Sequence, residues 1–458
     1  MVQDTIAAIS TGMINSGIGI IRMSGNQSFE IINKIYKSKS GKKKLDSVKS
    51  HTIHYGYIIE KEEVVDEVLV MVMKGPNTFT TEDVIEINCH GGILVMKKIL
   101  ELLIKNGARC AQAGEFTKRA FLNGRLDLSQ AEAVIDIINS KNDYALKSSI
   151  SQLKGTVLKK IKDIRSKIIY EVAFIESALD DPEHINIDGY KDKLLSVVSK
   201  LEEELGGLVS SFENGKIIRE GIKAVIVGKP NAGKSSILNL LVKDEKAIVT
   251  NIAGTTRDVL EEQINLSGIG LNIVDTAGIR DTDNVVEQIG VKRAKEYAKD
   301  ADLIIYVVDS SMDLDKNDKE IIKMIKNKKV IVLLNKSDLD TIITEDILKN
   351  KLECKVISIS AKENKGIDEL ENNIKEMFYQ GNISFNDQVY ITNVRHKTAL
   401  NVALESLLMV KNGILDDVPE DFLTIDLVSI YEELGKITGE AMGEDLVNEI
   451  FSKFCTGK

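Results

Sequence analysis

Gly228-Lys229-Pro230-Asn231-Ala232-Gly233-Lys234-Ser235 fits the phosphate-cradling pattern G-x-x-x-x-G-K-[ST] at every fixed position. The apolar run Ala224-Val225-Ile226-Val227 precedes it and Ile237-Leu238-Asn239-Leu240-Leu241 follows, the strand–loop–helix context the motif needs. Glycines let backbone come close to phosphate, and successive N–H groups at a helix start present a positive concavity to it. Asn231, Ala232, Gly233, Lys234, Ser235 and Ser236 are the expected contacts, with Lys234 reaching the outer phosphates and Ser235 binding Mg²⁺.

The rest of a guanine-nucleotide signature lies downstream in order. Gly254-Thr255-Thr256-Arg257-Asp258 is a polar, glycine-led segment suited to a mobile switch loop, and its threonines could supply a second Mg²⁺ ligand and γ-phosphate contacts. With the preceding Thr250, Asn251, Ile252 and Ala253 it forms the second set of candidate nucleotide contacts. The strand Ile269 to Val274 ends in Asp275-Thr276-Ala277-Gly278, where Asp275 is placed to hold the metal through water and the Gly278 N–H to sense the γ-phosphate. Val330 to Leu334 delivers Asn335-Lys336-Ser337-Asp338. The Asp338 carboxylate can accept from both donors on the guanine edge. Adenine offers no matching pair, and a mismatch of that kind rejects an analogue by roughly 10⁴-fold. Val356 to Ile359, including Ser358, leads into Ser360-Ala361-Lys362, a base-backing loop. Five motifs at five strand ends predict a doubly wound α/β domain, a parallel sheet with helices on both faces and the ligand at the carboxyl ends of the strands.

Hydrolysis needs an oriented water. Ile279 stands where many small GTPases place a Gln, so another group must serve, and the local candidates are Arg280, Asp281, Asp283, Glu287 and Gln288. Asn231, with backbone oxygens near Thr250 and Ile252, could hold a monovalent cation beside the phosphates, doing the work of an arginine finger. An ordinary loop asparagine is the competing reading. Arg257 and Arg280 read more simply as surface ion-pair partners.

With 458 residues the chain has room for two to four domains. Hydrophobic content of 43% and charged content of 28% describe a soluble globular protein, and with no Trp and only four Pro, long helices are permitted. No apolar run nears membrane-spanning length and the opening Met1-Val2-Gln3-Asp4-Thr5 is no signal peptide, so no membrane association is expected. Cys89, Cys110, Cys354 and Cys455 lack zinc or disulfide spacing and suit a reducing cytoplasm, the expected location. A net charge of −10 argues against indiscriminate nucleic-acid binding; an RNA partner needs a local basic patch or a second protein carrying one.

The stripe Leu146, Ile150, Leu153, Val157, Ile161, Ile164, Ile168, Val172, Ile175, Leu179 predicts one long amphipathic helix stopped by Asp180-Asp181-Pro182. A second helix is expected from Tyr190 to Phe212, and helical spacing returns from Leu400 to Phe454. The GTPase domain (residues 218–380) therefore reads as inserted into one helical domain built from 121–217 and 381–458; two separate helical domains are the alternative. Residues 1–120 read as an α+β module with strands near Thr5–Ile9, Gly17–Arg22, Val68–Val72 and Val84–Ile87 and a helix from Ile93 to Lys105. Overall the expected class is multidomain: α+β N-terminal domain, all-α helical domain, inserted α/β P-loop GTPase domain. The Lys37–Lys44 stretch reads as a solvated loop. Arg22, Glu86, the Cys89-His90-Gly91-Gly92 turn and the charged block Gly114 to Asp127 each invite a ligand, although a structural ion pair or turn explains each as simply. Cys455, four residues from the end and near Lys453 and Lys458, is a candidate reactive thiol or a small hydrophobe on a frayed tail.

Taken together, Asp4-Thr5-Ile6-Ala7-Ala8, Gly75-Pro76-Asn77, Glu82-Asp83-Val84-Ile85-Glu86, the Gly114–Leu128 block, the inserted nucleotide motifs and the closing Cys455-Thr456-Gly457-Lys458 resemble the tRNA modification GTPase family called MnmE or TrmE, over essentially the whole chain. The resemblance implies a K⁺-stimulated GTPase. With a flavin-dependent partner protein, such an enzyme adds a carboxymethylaminomethyl-type group to C5 of the wobble uridine of certain tRNAs. A 5-formyl- or 5,10-methylene-tetrahydrofolate is the implied one-carbon donor, and a homodimer the implied assembly. By position Arg22, Glu86, Arg125 and Lys458 match the family's folate contacts; Arg125 stands where a Lys is found in a well-known member, which keeps the charge and changes the fork geometry. Asn231, Thr250, Ile252 and Thr255 match the K⁺ ligands, Ser235 and Thr256 the Mg²⁺ ligands, Glu287 the water-orienting residue and Cys455 a cysteine implicated in the modification. The competing class is an RNA-binding regulatory GTPase switch, such as a ribosome-assembly factor.

Overall fold

Short apolar runs broken by polar residues make the first strands: β1 (Ile6–Ile9) and β2 (Ser16–Ser24), then α1 (Ser28–Ile35) and β3 (Tyr36–Ser38). β4 (Thr52–Glu60) and β5 (Glu63–Met73) form a hairpin around Lys61-Glu62, both at positive φ (48° and 76°), the two-residue turn geometry whose twist matches flanking strands. β6 (Val84–Gly91), α2 (Ile93–Lys105) and β7 (Arg109–Cys110) complete a seven-stranded sheet in the order β3-β4-β5-β6-β2-β1-β7, antiparallel except for the β1–β7 pair. Period-two alternation puts Ile21, Met23, Val70, Val72, Ile85 and Ile87 into one core with Ile31 and Ile32 of α1 and Met96, Ile99 and Leu103 of α2. The computed structural model describes residues 4–41, 44–243, 261–266, 268–274, 297–326, 328–379, 389–440, 442–455 and 457.

α3 (Glu115–Leu122) and α4 (Leu128–Ile138) follow. The single helix expected from Leu146 to Leu179 is two: α5 (Asp143–Leu153) and α6 (Thr156–Asp180). Gly155 breaks them at φ 87°, a left-handed conformation that no continuing helix residue adopts. Leu146, Ile150 and Leu179 are 37%, 38% and 49% exposed, so the stripe buries a face only from Val157 to Ile175. α7 (Tyr190–Glu220) outruns its expected end at Phe212.

The central sheet runs β13-β12-β11-β8-β10-β9, from β8 (Ile222–Val227), β9 (Glu261–Leu266), β10 (Ile269–Val274), β11 (Leu303–Asp309), β12 (Val330–Asn335) and β13 (Lys355–Ser358). β9 pairs antiparallel with β10 and the rest are parallel, so the parallel sheet expected here carries an antiparallel edge, where a tight hairpin replaces a crossover. α8 (Lys234–Lys243), α9 (Lys316–Ile325), α10 (Glu345–Leu352) and α11 (Ile367–Tyr379) accompany it. Separate apolar clusters, one holding Ile226, Ile305 and Leu333 and the other Val225, Ile304 and Val332, mark a sheet covered on both faces. α12 (Val394–Leu415) packs along α7. α13 (Glu420–Thr438) packs along α6, with Arg165 Nη1 2.5 Å from Glu440 Oε2 and its guanidinium 3.9 Å from the Tyr431 ring centroid, and α14 (Glu444–Ser452) closes the chain.

Two units result. One comprises Met1–Ile135, Gln152–Asp188 and Asp417–Lys458; the other comprises Asp136–Ser151 and Gly189–Asp416. Each contains helices from before and after the central sheet. No helix among the described residues is long and apolar enough to cross a membrane.

Candidate functional site

At the carboxyl end of β8 the chain turns through Gly228–Gly233 and starts α8 at Lys234, bordering a cleft of ≈ 860 Å³. Asn231, Gly233, Lys234, Ser235 and Ser236 line one side, and Lys336, Asp338 and Ala361 line the other. Asn335 joins them: its Nδ2 donates to Ala232 O at 2.9 Å and its Oδ1 accepts from Ala361 N at 3.2 Å. A Cβ on Gly233 (φ 96°) would fall 2.0 Å from Asn335 Nδ2, so glycine is required for the loop to close on that side chain. Asn231 itself is left-handed, at φ 62°. Lys234 Nζ donates to Gly228 O (2.9 Å) and Lys229 O (2.8 Å) across the loop mouth.

On the far side Ser360 Oγ, in a fully buried residue, donates to Asp338 Oδ1 at 2.7 Å. That bond, aided by the Lys362 and Lys365 charges, holds the Asp338 carboxyl below its ordinary value, so it is an ionised acceptor facing the cleft. Ser337 N donates to Ile359 O, and Ser358 Oγ to Glu345 Oε1. Ala232, Ser337, Ser358 and Ser360 are not among the residues that line the cleft; they frame those that do.

Sequence reading passes over Asp309, which ends β11 and is 5% exposed. Its Oδ2 lies 2.5 Å from Lys336 Nζ, and its Oδ1 accepts from Ser311 N and Oγ. Burial pushes that carboxyl up, but the bonds from Lys336 and Ser311 outweigh it and the carboxyl sits below its ordinary value. The only signal available was an acidic residue closing an otherwise apolar strand.

In the N-terminal unit Arg22 on β2 and Glu86 on β6 are register partners, with Arg22 Nη2 2.6 Å from Glu86 Oε1. The Arg22 guanidinium sits 5.8 Å from the Phe79 ring centroid, and that of Arg125 4.9 Å from the same ring. Arg125 also lines a hollow of ≈ 490 Å³ with His51, Asn77, Phe79 and Asn123. The tail arrives at the same place: Gly457 O accepts from Ser10 Oγ (3.2 Å) and Arg22 Nη1 (3.4 Å), while Cys455, exposed, accepts from Gly114 N through its carbonyl. Arg22 and Arg125, far apart in sequence, thus share one phenylalanine, and Arg22 also meets Glu86 and the Gly457 carbonyl.

The Cys89–Gly92 segment is not the turn expected of it; Cys89 and His90 belong to β6. Cys89 is buried, which pushes its thiol up to about 11, and exposed His90 pairs through Nδ1 with Asp66 at 2.7 Å. Much of the charged 114–127 block is structural: Arg119 bridges Asp4, Glu82 and Glu115, and Arg109 binds Asp4 and Glu115. Burial raises the Glu115 carboxyl, yet the bonds from Arg109, Gln112 N and Arg119 bring it below its ordinary value.

Thr250, Asn251, Ile252, Ala253, Gly254, Thr255, Thr256, Arg257, Asp258, Asp275, Thr276, Ala277, Gly278, Ile279, Arg280, Asp281, Asp283, Glu287, Gln288, Thr456 and Lys458 lie outside the described residues, as do positions 42 and 43 of the Lys37–Lys44 stretch.

Residues 5–125 match the family described as GTP-binding protein TrmE N-terminus, and residues 128–455 the MnmE helical domain. The tRNA modification GTPase MnmE of Lachnoclostridium phytofermentans is 56% identical over 458 residues, covering 100% of both chains. That of Acetivibrio thermocellus is 51% identical over 462 residues, covering 100% of this chain and 99% of its own. Among solved structures, the G domain of the T. maritima FeoB iron transporter aligns with 34% of this chain and 97% of its own at 28% identity and a TM-score of 0.26. Five nucleotide motifs, an Arg22–Glu86 pair met by the chain's own tail, and relatives alike from end to end lead to one assignment: the chain belongs to the MnmE (TrmE) family of tRNA modification GTPases.

Proposed function

We propose that this GTPase couples hydrolysis of GTP to the addition of a carboxymethylaminomethyl-type group at C5 of the wobble uridine of certain tRNAs. It acts as a homodimer with a flavin-dependent partner protein and uses a tetrahydrofolate one-carbon donor. The observation that carries the nucleotide half is the Asp338 carboxylate, ionised and fixed by Ser360 in the same cleft as the Gly228–Ser235 loop. It accepts from guanine N1–H and the 2-amino group, while the first N–H groups of α8 and the Lys234 ammonium face the phosphates. Lys234 reaches them by giving up the two loop carbonyls it holds here.

Ser235, at the start of α8 and lining the cleft, suits the role of Mg²⁺ ligand together with Thr256. Bound Mg²⁺ would neutralise charge on the outer phosphates. Asn231, held left-handed at the cleft edge, suits a K⁺ ligand alongside Thr250, Ile252 and Thr255, and Glu287 takes the water-orienting role that Ile279 cannot fill. The residues at and next to Phe79 suit a folate: Arg22 and Arg125 its carboxylates, Glu86 its amino-bearing ring edge, and Phe79 an aromatic face, with Lys458 a further carboxylate partner by its place in the sequence. Cys455 is exposed beside this group and is a candidate participant in the modification. In domain terms, 218–380 is the nucleotide-driven body, 121–217 with 381–458 the helical scaffold, and 1–120 the folate-binding and dimerisation module.

Two experiments test this reading. GTP turnover is compared in K⁺ and Na⁺ buffers, where faster turnover in K⁺ is expected and equal rates reject the cation role. Wobble uridines from cells lacking the protein are analysed by mass spectrometry. Loss of the modified nucleoside is expected; an unchanged nucleoside profile rejects the modification role and leaves a GTP-gated RNA-binding switch as the better account.

A further inference from the structure

Lys229 is the second residue of the phosphate loop, and its two ends do different things. Its carbonyl accepts from Lys234 Nζ at 2.8 Å and from Ala232 N at 3.3 Å, so it shapes the loop around the phosphate-binding lysine. Pro230 follows it and narrows the backbone conformations open to Lys229. Its ammonium lies 2.7 Å from Asp318 Oδ2 and 3.2 Å from Asp315 Oδ2.

Asp318 is not an ordinary surface carboxylate. It is 1% exposed, and its Oδ1 accepts from Tyr306 OH at 2.8 Å. Its Oδ2 also accepts from Asp315 N, while Asp315 Oδ1 accepts from Asn317 N and Asp318 N, a reciprocal capping box at the start of α9. Tyr306 lies in β11, a strand buried along its whole length. The Lys229 side chain is thereby tied to a helix start and a central strand at once. A buried carboxylate left without its cation is costly, so the pair favours one loop geometry over others.

We propose that Lys229 is a positioning residue for Lys234, and that the Lys229–Asp318 ion pair pre-forms the phosphate loop before nucleotide binds. Asp318 touches no nucleotide and acts only through Lys229. The inference rests on guanine-nucleotide binding in this cleft and goes beyond it, because no phosphate-loop motif specifies a residue type at the Lys229 position.

The test uses the full chain: binding of a fluorescent GDP analogue, steady-state GTP turnover and thermal melting for wild type, Lys229→Met, Lys229→Arg, Asp318→Asn and the double variant Lys229→Met/Asp318→Asn. Lys229→Met and Asp318→Asn should each raise the GDP Kd and the GTP KM by about tenfold with kcat nearly unchanged, and the double variant should be no worse than either. Lys229→Arg should restore most of the affinity. Unaltered Kd in a folded Lys229→Met protein overturns the proposal, as do single-variant effects that multiply in the double. Should Lys229→Met fail to fold, Asp318→Asn, which keeps an acceptor for Tyr306, decides alone: a wild-type Kd there overturns the proposal. Wild-type protein that binds no GDP would remove the nucleotide reading itself, a result distinct from variants that bind as wild type does.

Discussion

In the proposed nucleotide complex, Asp338 meets the base with a pair of oxygens, one of which is already steadied by Ser360. Asp338→Asn replaces an acceptor with a donor facing guanine's 2-amino group. GTP KM should rise by about 10²-fold or more, and xanthosine triphosphate, with a carbonyl at that position, should become the better substrate in a turnover assay. His90 supplies a pH-dependent mark. The Asp66 carboxylate bonded to its ring raises its pKa above the usual 6.5, so its imidazole NMR titration should centre above that value and fall back in Asp66→Asn. A folded-state pKa raised in this way contributes stability that is full below about pH 6.5 and fades as pH climbs through the folded value. Because His90 is exposed, melting temperature should shift only slightly across that window. At this scale the cleft was largely legible: Asn335, Lys336, Asp338 and the Gly228–Ser235 loop stand at fixed spacings dictated by the shape of a nucleotide. Asp309 and Lys229 were not, because the Asp309–Lys336 bond spans 27 positions and the Lys229–Asp318 bond depends on how α9 is set against the loop.

Helix α7 carries three glycines whose surroundings differ. A Cβ on Gly215 would fall 2.2 Å from Ile391 O, whereas nothing lies within 4 Å of one on Gly206 or Gly207. Gly215→Ala should therefore force α7 away from the 389–393 segment and destabilise the protein by about 1–3 kcal/mol. Gly207→Ala, in an open helix interior, should stabilise it by about 0.5–1 kcal/mol; chemical denaturation of the two variants checks the opposite signs. Apolar periodicity found the helices because burial of one face is a local demand. It missed the break between α5 and α6, where the spacing of apolar residues runs unbroken through Gly155 while the backbone does not. It missed the antiparallel edge of the central sheet for a related reason: pairing direction is set by connection length, and β9 and β10 have only two residues between them.

Each of the two units has its own apolar clusters: that of Ile87 and Ile99 in one, those of Ile226 and Val225 in the other. Calorimetry should resolve two unfolding transitions. GDP at about 100 times its Kd should stabilise only the unit holding the phosphate loop, by about 2.7 kcal/mol, and leave the other transition in place. A single transition moving as a whole would contradict that separation. The order of domains along the chain was readable from motifs and periodicity, but the grouping of helices was not. Whether α6 sides with α13 and α7 with α12 depends on contacts between residues at least 173 positions apart, which no local pattern records.

The pairing of α7 with α12 has a consequence of its own. One leads the chain to β8 and the other carries it onward, and they are laced together by Lys397–Glu213 at 3.0 Å, Lys411–Glu202 at 2.5 Å and Arg219 Nη1 on Thr392 O at 3.4 Å. A pendant that departs and returns through neighbouring stalks can be cut away with little damage to them beyond uncovering Ile218, which the end of α7 lends to the apolar cluster of the central sheet. A gene in which a short linker splices the end of α7 to the start of α12 should still encode a soluble helical hairpin, and the same seam is where an ancestral switch could have been grafted whole into an older scaffold.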